Sequence, residues 1–349
     1  MFISGGSGQF PKTTAKAETV NVVAKRKRGF KKTLFSHLRR TTVQIVDQLF
    51  GNIFVYLILG VINRIIGLFG ERPIRSNFIF YAPNKRYLRT MVYDWYVPFV
   101  RWKPGLGQIM YQNGFWTLSF GIASNDEDFY NPENERKLKK TLRRAEFVAK
   151  IIGAKYLTFA GILPGVFSKY GFERKMMPVE KENTVTAVTQ SVYITIMKEG
   201  LRKDVPVIVL GGSGYIGEGV VSALREQGYP GQIYPIDTKK GDISGSLPPE
   251  LEFQSVIVLN ITKKFAIKDY IKNLWFGAVI INEVFPEPSE NSIAEMNSAG
   301  IVCYHITGVE AKAYPSMGEA YSGGIPCCAS IKPKEGEGEY KVLTKRLTA

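Results

Sequence analysis

The chain has 349 residues, of which 45% are hydrophobic and 22% are charged, and its formal net charge is +15. This size and composition describe an ordinary globular protein with two domains plus extensions. Residues 1–40 hold ten Lys or Arg and a single acid, Glu18, so nine of the fifteen charges lie there. The charge therefore indicates a basic arm and argues against a nucleic-acid-binding fold throughout.

The few cysteines and histidines limit the chemistry of the chain. Cys303, Cys327 and Cys328 do not make a disulfide framework, because adjacent cysteines rarely bridge each other. His37 and His305 are the only histidines, which excludes a histidine-rich zinc centre, and no metal site is predicted. A reducing compartment, on the cytoplasmic side, is the default expectation.

The basic arm, residues 1–40, is predicted to be disordered at its start, where Gly, Ser, Thr and Lys prevail. Basic clusters follow at Lys25–Arg28, Lys31–Lys32 and Arg39–Arg40. Three interpretations are open: a patch for anionic lipid, a nuclear or nucleic-acid patch, and an organelle transit segment. The hydrophobic segment that comes next favours the lipid patch.

Residues 41–72 are predicted to form a hydrophobic, membrane-associating helix. Their charge-free core, Ile53 to Ile62, has ten residues, fewer than the roughly 20 that a spanning helix needs. The helix can lie in the membrane interface, span the membrane against a partner, pack inside the protein, or belong to a cleaved targeting segment. Because the basic arm adjoins it, we expect residues 25–69 to contact a membrane surface. At helical spacing the polar and small residues form one winding stripe: Gln44, Asp47, Gln48, Gly51, Asn52, Tyr56, Gly60, Asn63, Arg64 and Gly67.

Residues 73–200 are predicted to form a substrate or catalytic α/β domain. Thirteen Phe, Tyr or Trp fall between Phe78 and Phe120. They indicate a small sheet with an aromatic core, or else a hydrophobic substrate channel near the membrane surface. The other predicted elements of this domain are a helix between Asn131 and Gly153, the strand Lys155–Ala160 and a helix from Asn183 to about Lys198.

A glycine-rich turn dominates residues 201–330, which are predicted to form an NAD(P)-binding Rossmann domain. The apolar run Val205–Leu210 leads into this turn, and the helix-like segment Glu218–Gln227 and a second strand follow. In such a unit the glycines allow a tight turn, close approach of a pyrophosphate and packing of helix on strand. A purely structural turn is the alternative. The predicted nucleotide contacts in the turn are Gly211, Gly212, Ser213, Gly214, Tyr215, Ile216 and Gly217.

Further nucleotide contacts are predicted at the ends of the next two strands. Asp237 lies twenty residues beyond the last glycine, where an acid accepts the ribose 2′-hydroxyl of NAD. Thr238 and Lys239 come directly after it, and a lysine there suits the 2′-phosphate of NADP, so both cofactors stay open. Asn260 and Thr262 follow the next strand, at the carboxyl edge where ligands bind in open α/β sheets.

Three further apolar runs complete the predicted fold: Ser255–Leu259, Ala278–Ile281 and Ile301–Ile306. They alternate with helix-like stretches, which implies a parallel sheet with right-handed crossovers. The fold class is therefore α/β, a Rossmann-type mostly parallel sheet preceded by a smaller α/β substrate domain and an N-terminal hydrophobic helix. Residues 331–349 are Lys- and Glu-rich and are expected to form a charged tail. A homo-oligomer is compatible with this sequence, which does not determine the oligomeric state.

Two cysteines and one histidine are candidates for catalysis. Cys327 and Cys328 follow a Gly-Gly-Ile-Pro segment, and a thiol there can form a thioester that a hydride then reduces. A buried structural cysteine is the alternative. His305, at a strand end, is either an acid/base group or a satisfied core residue.

Several short stretches follow one another in a distinctive order between about residues 136 and 330. They are Ala160–Pro164, Glu182–Ala187, Gly211–Gly217, Val279–Pro286, Tyr304–Glu310 and the cysteine pair. In this order the chain resembles the long-chain acyl–acyl-carrier-protein reductases, which form fatty aldehydes and have a Rossmann domain similar to that of shikimate dehydrogenases.

The resemblance implies a covalent mechanism. In that family a cysteine in a Cys-x-Ala setting takes the acyl group from the carrier's phosphopantetheine, and NADPH reduces the thioester. Cys327-Cys-Ala329 matches this setting, which implies Cys327 as the nucleophile. The chain departs from the family at Asp237, where a basic or neutral residue is expected, and in lacking a long helix after the cysteine.

The leading hypothesis from the sequence is a membrane-associated, NAD(P)H-dependent reductase of a long-chain acyl thioester carried by acyl carrier protein or CoA. One alternative is a dehydrogenase of the shikimate or methylene-tetrahydrofolate type without a covalent intermediate. Another is a non-catalytic, membrane-bound nucleotide-binding scaffold. A nucleic-acid partner is supported only by the basic arm.

Overall fold

A computed structural model describes residues 36–82, 85–237, 246–263, 266–317, 321, 323–333 and 340–349. Most of the basic arm, together with Thr238 and Lys239, lies outside the described residues. The helices are α1 (Ser36–Phe50), α2 (Ile53–Ile66), α3 (Lys85–Met91), α4 (Val97–Val100), α5 (Asp126–Tyr130), α6 (Glu135–Ile152), α7 (Leu163–Lys169), α8 (Glu180–Glu199), α9 (Tyr215–Glu226), α10 (Lys268–Ile271) and α11 (Glu290–Ser298). The strands are β1 (Ile74–Tyr81), β2 (Gly105–Gln112), β3 (Phe115–Ile122), β4 (Tyr156–Phe159), β5 (Val207–Leu210), β6 (Ile233–Ile236), β7 (Val256–Asn260), β8 (Ala278–Asn282), β9 (Val302–Glu310), β10 (Lys312–Tyr314), β11 (Gly324–Ile325) and β12 (Val342–Arg346).

The first sheet has the strand order β10-β2-β3-β1-β4. Strand β1 runs parallel to β3 and β4, whereas β2 is antiparallel to β3. Helix α6 packs on this sheet with the apolar face that the sequence predicts, including Leu138, Leu142 and Ala149, and it ends at Gly153 in the left-handed conformation. Strand β10 comes from the second half of the chain, so this sheet is not formed by residues 73–200 alone.

The second sheet confirms the predicted Rossmann-type arrangement. Strands β6, β5, β7, β8 and β9 are parallel neighbours in that order. The chain passes from β5 to β6 on one side and then to β7 on the other, so the strand order reverses between β5 and β7. Helices α8 and α9 cover one face and α10 and α11 the other, which is why β5 and β7 are buried throughout.

The C-terminal residues differ from the predicted charged tail. Strand β12 pairs antiparallel with β9, and its first residue, Val342, is buried in the core beneath the sheet. Pairing satisfies backbone groups that β9 would otherwise expose at an edge. The segment contributes a strand because β9 supplies a partner, which the local Lys-rich sequence does not indicate.

The predicted single helix over residues 41–72 is also corrected. Two helices, α1 and α2, meet there at an angle of 77°. The break falls at Gly51 and Asn52, and the Asn52 side chain caps α2 by accepting a hydrogen bond from the Val55 N–H at 3.0 Å. Among the described residues no single helix is long and apolar enough to cross a membrane, and only the bent pair taken together meets that test.

The polar stripe of α2 faces the protein, and its apolar side faces outward. Tyr56, Gly60 and Asn63 are buried, whereas Phe54 and Ile58 are 73% and 59% exposed. Because a helix at a water-facing surface normally buries its apolar side, α2 has the reverse orientation.

Candidate functional site

The glycine turn between β5 and α9 is held in a conformation that only glycine suits. Gly211 has φ +86°, in the left-handed region. Its N–H donates to the carbonyl of Ile236 at 2.8 Å, which ties the turn to β6. A Cβ on Gly217 would lie 2.1 Å from the carbonyl oxygen of Gly211, so the first turn of α9 approaches the loop too closely for a side chain.

The same turn offers donors to an anion. Gly214 is the N-cap of α9 and provides no side-chain cap, so the first N–H groups of the helix remain for a ligand. Ser213 is 9% exposed, and its Oγ has no hydrogen-bond partner among the described residues. A buried hydroxyl left without a partner is costly, and a bound phosphate oxygen would satisfy it. The turn therefore fits a pyrophosphate.

A groove of about 1200 Å³ opens beside the turn at the reversal point between β5 and β7. Gly211, Gly214, Asp237 and Thr262 line it. Tyr270 lies across from Asp237, and burial together with the Asp237 charge raises the pKa of its hydroxyl. The predicted contacts at Gly211, Gly214, Asp237 and Thr262 thus share one groove, while Thr238 and Lys239 lie outside the described residues.

A buried row of polar side chains crosses the carboxyl edge of the sheet. Asn260, Asn282 and His305 lie side by side on the adjacent strands β7, β8 and β9. Asn260 Nδ2 donates to Asn282 Oδ1 at 2.6 Å, and Thr262 Oγ1 donates to Asn260 Oδ1 at 2.6 Å. These hydrogen bonds fix the direction of the Asn260 and Asn282 amides at the carboxyl edge of the sheet.

His305 ends this row as a buried, neutral group. Its Nδ1 lies 2.9 Å from Asn282 Nδ2 and 3.1 Å from the Asn282 carbonyl oxygen, and the residue is 1% exposed. Burial is the main cause that lowers the pKa of its imidazole. Among the described residues, His305 contacts Asn282 and the ring of Phe285. None of its described contacts is with Cys327 or Cys328.

The cysteine pair lies on a 3₁₀ turn, Cys327–Ala329, that α8 holds in place. Asn183 Nδ2 donates to the carbonyl of Ser330 at 2.8 Å, and the Tyr340 hydroxyl donates to the carbonyl of Asn183 at 3.0 Å. The turn thereby joins the start of α8 to the C-terminal segment.

The two neighbouring thiols face different parts of the protein. Cys327 packs against the core cluster formed by α8, α9 and the second sheet. Cys328 packs against the cluster of Phe78 and Phe80, on the first sheet. The cysteine turn therefore lies where the two sheets meet.

Both thiols are protonated at neutral pH. Burial, and then the charges of Cys328 and Glu283, raise the pKa of Cys327 well above its ordinary value. Burial and the charges of Glu180 and Glu283 raise the pKa of Cys328 to about 12, although the Gly161 N–H opposes this shift. A thiolate at this site therefore requires a nearby base.

Glu283 is a candidate for that base because its charge acts on both thiols, and sequence reasoning missed it. Burial raises the pKa of its carboxyl from 4.5 to about 7. Its charge acts on both cysteines and on Tyr321. It directly follows the last residue of β8, so an acid at the carboxyl end of a buried strand was the available signal.

Aromatic rings form a wall beside these groups. Phe285 stacks on Tyr321 with ring centroids 5.6 Å apart, and Tyr87 lies 5.2 Å away on α3. Burial, followed by the charges of the two cysteines, raises the pKa of the Tyr321 hydroxyl. These residues thus bring together two thiols, one carboxyl and one phenol beside aromatic rings, a combination that suits nucleophilic and proton-transfer chemistry.

No family model and no curated protein matches this chain. Among solved structures, a glutamate dehydrogenase from Peptoniphilus asaccharolyticus is 11% identical with a TM-score of 0.35, covering 66% of this chain and 64% of its own. An L-tryptophan dehydrogenase from Nostoc punctiforme is 14% identical with a TM-score of 0.33, over 66% of this chain and 69% of its own. A D-lactate dehydrogenase from Treponema pallidum is 12% identical with a TM-score of 0.29, over 65% and 76%. Likenesses this slight do not establish a shared activity.

Proposed function

We propose that the protein is an NAD(P)H-dependent oxidoreductase that reduces a long-chain acyl thioester to an aldehyde. The observation that carries this proposal is the Glu283 carboxyl, whose pKa is near neutrality and whose charge acts on two adjacent cysteines. Glu283 lies at the same sheet edge as the glycine turn that can bind an anion. The acyl–acyl-carrier-protein reductase resemblance supports the acyl thioester as substrate, with acyl carrier protein or CoA as its carrier.

The glycine turn would hold the nucleotide. Ser213 Oγ and the first N–H groups of α9 would donate to the pyrophosphate, and Asp237 would accept from the ribose. When bound, a reduced nicotinamide supplies the hydride for the reduction.

Cys327 and Glu283 would carry the covalent step. Glu283 takes the thiol proton, Cys327 sulfur bonds to the acyl carbon, and the carrier thiol leaves with the proton from Glu283. Cys327 would hold the acyl group as the thioester that the bound nicotinamide would reduce to the aldehyde, and the released Cys327 thiolate would then be reprotonated. The balance is acyl thioester + NAD(P)H + H⁺ giving aldehyde, free thiol and NAD(P)⁺. Cys327 is preferred over Cys328 because it packs against the core of the nucleotide-binding sheet.

Membrane association through residues 25–69 is part of the same proposal. Phe54, Leu57, Ile58, Val61 and Ile62 are each between 47% and 73% exposed on α2. A contiguous apolar face of this kind is typical of a membrane or protein contact. The basic clusters that precede α1 complement anionic lipid headgroups, which favours a membrane surface on the cytoplasmic side.

A second function has one observation in its favour. Both cysteines have raised pKa values, which fits a dehydrogenase that makes no covalent intermediate and uses Glu283 as its acid or base. Both candidate functions require the glycine turn, so substitution of that turn cannot distinguish them. Substitution of the cysteines does, because only the first function needs a covalent thioester.

The experiment that tests the proposal follows nucleotide oxidation by the full chain with palmitoyl-CoA or palmitoyl-acyl carrier protein, using NADPH and NADH. We expect aldehyde formation that Cys327→Ala abolishes. Cys303→Ala is the matched control, because Cys303 is buried on the opposite face of the second sheet and should tolerate the change. Full activity of Cys327→Ala would overturn the covalent mechanism, and absence of acyl thioester reduction by the unmodified chain would overturn the proposed substrate.

A further inference from the structure

Helix α6 carries an excess of positive charge. Its 18 residues include seven Lys or Arg and two acids. The apolar side of the helix packs on the first sheet, so most of the basic side chains are exposed. Together with two exposed lysines from α7 and the segment that follows it, they form a surface that we call the basic face. Its exposed members are Arg136, Lys139, Lys140, Lys169 and Lys175.

Two aromatic rings bring the lysines of different segments together. Lys139 Nζ lies 5.8 Å from the centroid of the Phe172 ring, and Lys169 Nζ lies 5.7 Å from the centroid of the Tyr170 ring. These two rings stack on each other, with centroids 5.7 Å apart. The basic side chains of α6 and α7 therefore belong to one continuous surface.

Few acids offset the charge of this surface. Glu146 is already engaged, because it accepts hydrogen bonds from the Lys175 N–H at 2.7 Å and from Arg143 Nη1 at 2.8 Å. On α6 and in residues 170–179 the exposed acids are Glu135 and Glu173. Among the described residues, none of the ion pairs involves a cation of the basic face. The face therefore keeps a net positive charge and attracts acidic surfaces.

The basic face lies next to the cysteine turn. A short connection joins α6 to β4, so α6 runs back along this strand and its first turns lie at the carboxyl end of β4. Just beyond that end, the Gly161 N–H acts on the Cys328 thiol. Arg174, the neighbour of Lys175, pairs with Glu180 at the start of α8, the helix that holds the cysteine turn. A partner bound on the basic face would therefore lie beside that turn.

We propose that the basic face docks the acidic surface of an acyl carrier protein and so delivers the acyl thioester to the cysteine turn. This docking role rests on the proposed function, with the carrier protein rather than CoA as the partner. Basic side chains run along α6 from Arg136 to Lys150, about 21 Å at 1.5 Å per residue. A row of that length fits a protein surface better than the compact phosphate groups of CoA. Its position beside the cysteine turn favours a partner that carries the substrate over an anionic membrane.

The test measures binding of dye-labelled holo-acyl carrier protein to the full chain by fluorescence anisotropy. Arg136→Glu with Lys140→Glu reverses two exposed charges of the basic face. We expect this double variant to raise the dissociation constant at least about tenfold at low salt, and less at high salt, because salt screens such charges. The matched control is Lys203→Glu with Arg225→Glu, two exposed positions before β5 and at the end of α9, and it should leave binding unchanged. An unchanged melting temperature verifies that each variant is folded.

Kinetics and vesicle binding identify the partner. The double variant of the basic face should lower kcat/KM for palmitoyl-acyl carrier protein at least about tenfold and leave kcat/KM for palmitoyl-CoA unchanged. An equal loss with both substrates would assign the cations to CoA phosphates. Loss of binding to phosphatidylserine vesicles with carrier binding intact would assign them to lipid. Either result would overturn the proposal, as would equal carrier binding by the unmodified chain and the double variant, or no carrier binding by the unmodified chain.

Failure of the docking surface and failure of the proposed function give different results. Anisotropy needs no turnover, so a chain that binds the carrier protein through the basic face but reduces neither thioester would lose the proposed reductase activity alone. A chain that reduces palmitoyl-CoA yet binds no carrier protein would keep that activity and lose the docking surface.

Discussion

Asn63 of α2 and Ile74 of β1 are joined by a reciprocal pair of hydrogen bonds. Asn63 Nδ2 donates to the Ile74 carbonyl at 3.0 Å, and the Ile74 N–H donates to Asn63 Oδ1 at 2.8 Å. The same Nδ2 lies 3.1 Å from the carbonyl of Ile152, at the end of α6. One amide therefore fixes the polar side of α2 against the first sheet, and the apolar side of α2 is left outward.

Replacing Asn63 by Leu should destabilise the fold. The change leaves the N–H and carbonyl of Ile74 without partners, and each buried polar group left unpaired costs about 1–3 kcal/mol. We expect a lower free energy of unfolding in urea. Asn291→Leu, an exposed position near the start of α11, is the control and should change stability little. Equal unfolding midpoints for both variants would contradict the role of Asn63.

Polar substitutions on the outward face of α2 should weaken membrane binding without unfolding the protein. Phe54→Ser with Ile58→Ser removes two side chains that would each gain about 1.5–3 kcal/mol on burial in lipid. Sedimentation with phosphatidylserine-containing vesicles should show a loss of at least about tenfold in affinity. The control pair is Phe147→Ser with Met197→Ser, which are also exposed but lie on α6 and α8. Equal losses in both pairs would contradict a specific face.

Gly217→Ala should abolish nucleotide binding. Its Cβ would lie 2.1 Å from the Gly211 carbonyl oxygen, so the turn must move and its donors lose their alignment. The measurement is the rise in melting temperature on adding NADPH or NADH, which should disappear. Gly165→Ala is the matched control, because a Cβ there meets nothing within 4 Å. An unchanged thermal shift in Gly217→Ala would argue against the glycine turn as the nucleotide site.

Glu283 should make stability depend on pH. Its pKa is raised from 4.5 in the unfolded chain to about 7 in the fold, so the folded state binds more protons than the unfolded state between these values. Stability should therefore fall as pH rises from about 4.5 to about 7, by at most roughly 3 kcal/mol, and no further above that. Urea unfolding at about pH 5 and about pH 8 should show this loss in the unmodified chain and a smaller one in Glu283→Gln. An equal pH dependence in both would refute the burial of an ionisable carboxyl here.

The second sheet could be predicted from sequence because its signals are local. Runs such as Val207–Leu210 are apolar throughout, as expected of parallel strands covered on both faces, and the glycine turn follows directly. The N-terminal helix was predicted in composition and in its polar stripe, but the break at Asn52 was not. An asparagine that caps a helix and one that lies within a helix look alike in a single sequence.

The elements that sequence reasoning missed depend on partners far along the chain. Strand β12 carries Lys345 and Arg346 and resembles a solvated tail until β9 pairs with it. Glu283 is one of many acids in the sequence, and only burial beside the cysteine turn raises its pKa. Arg39 likewise belongs to a basic run, and its burial is a property of the packed molecule.

The sequence by itself determined the Rossmann-type sheet, the glycine turn and the amphipathic character of the N-terminal helices, because each depends on the spacing of nearby residues. Only the tertiary structure decided which side of α2 faces outward, which acid accompanies the cysteines and which arginine of the basic run is buried. These properties arise from desolvation and from hydrogen bonds between residues distant in sequence, as between Asn63 and Ile152, and no local pattern encodes them.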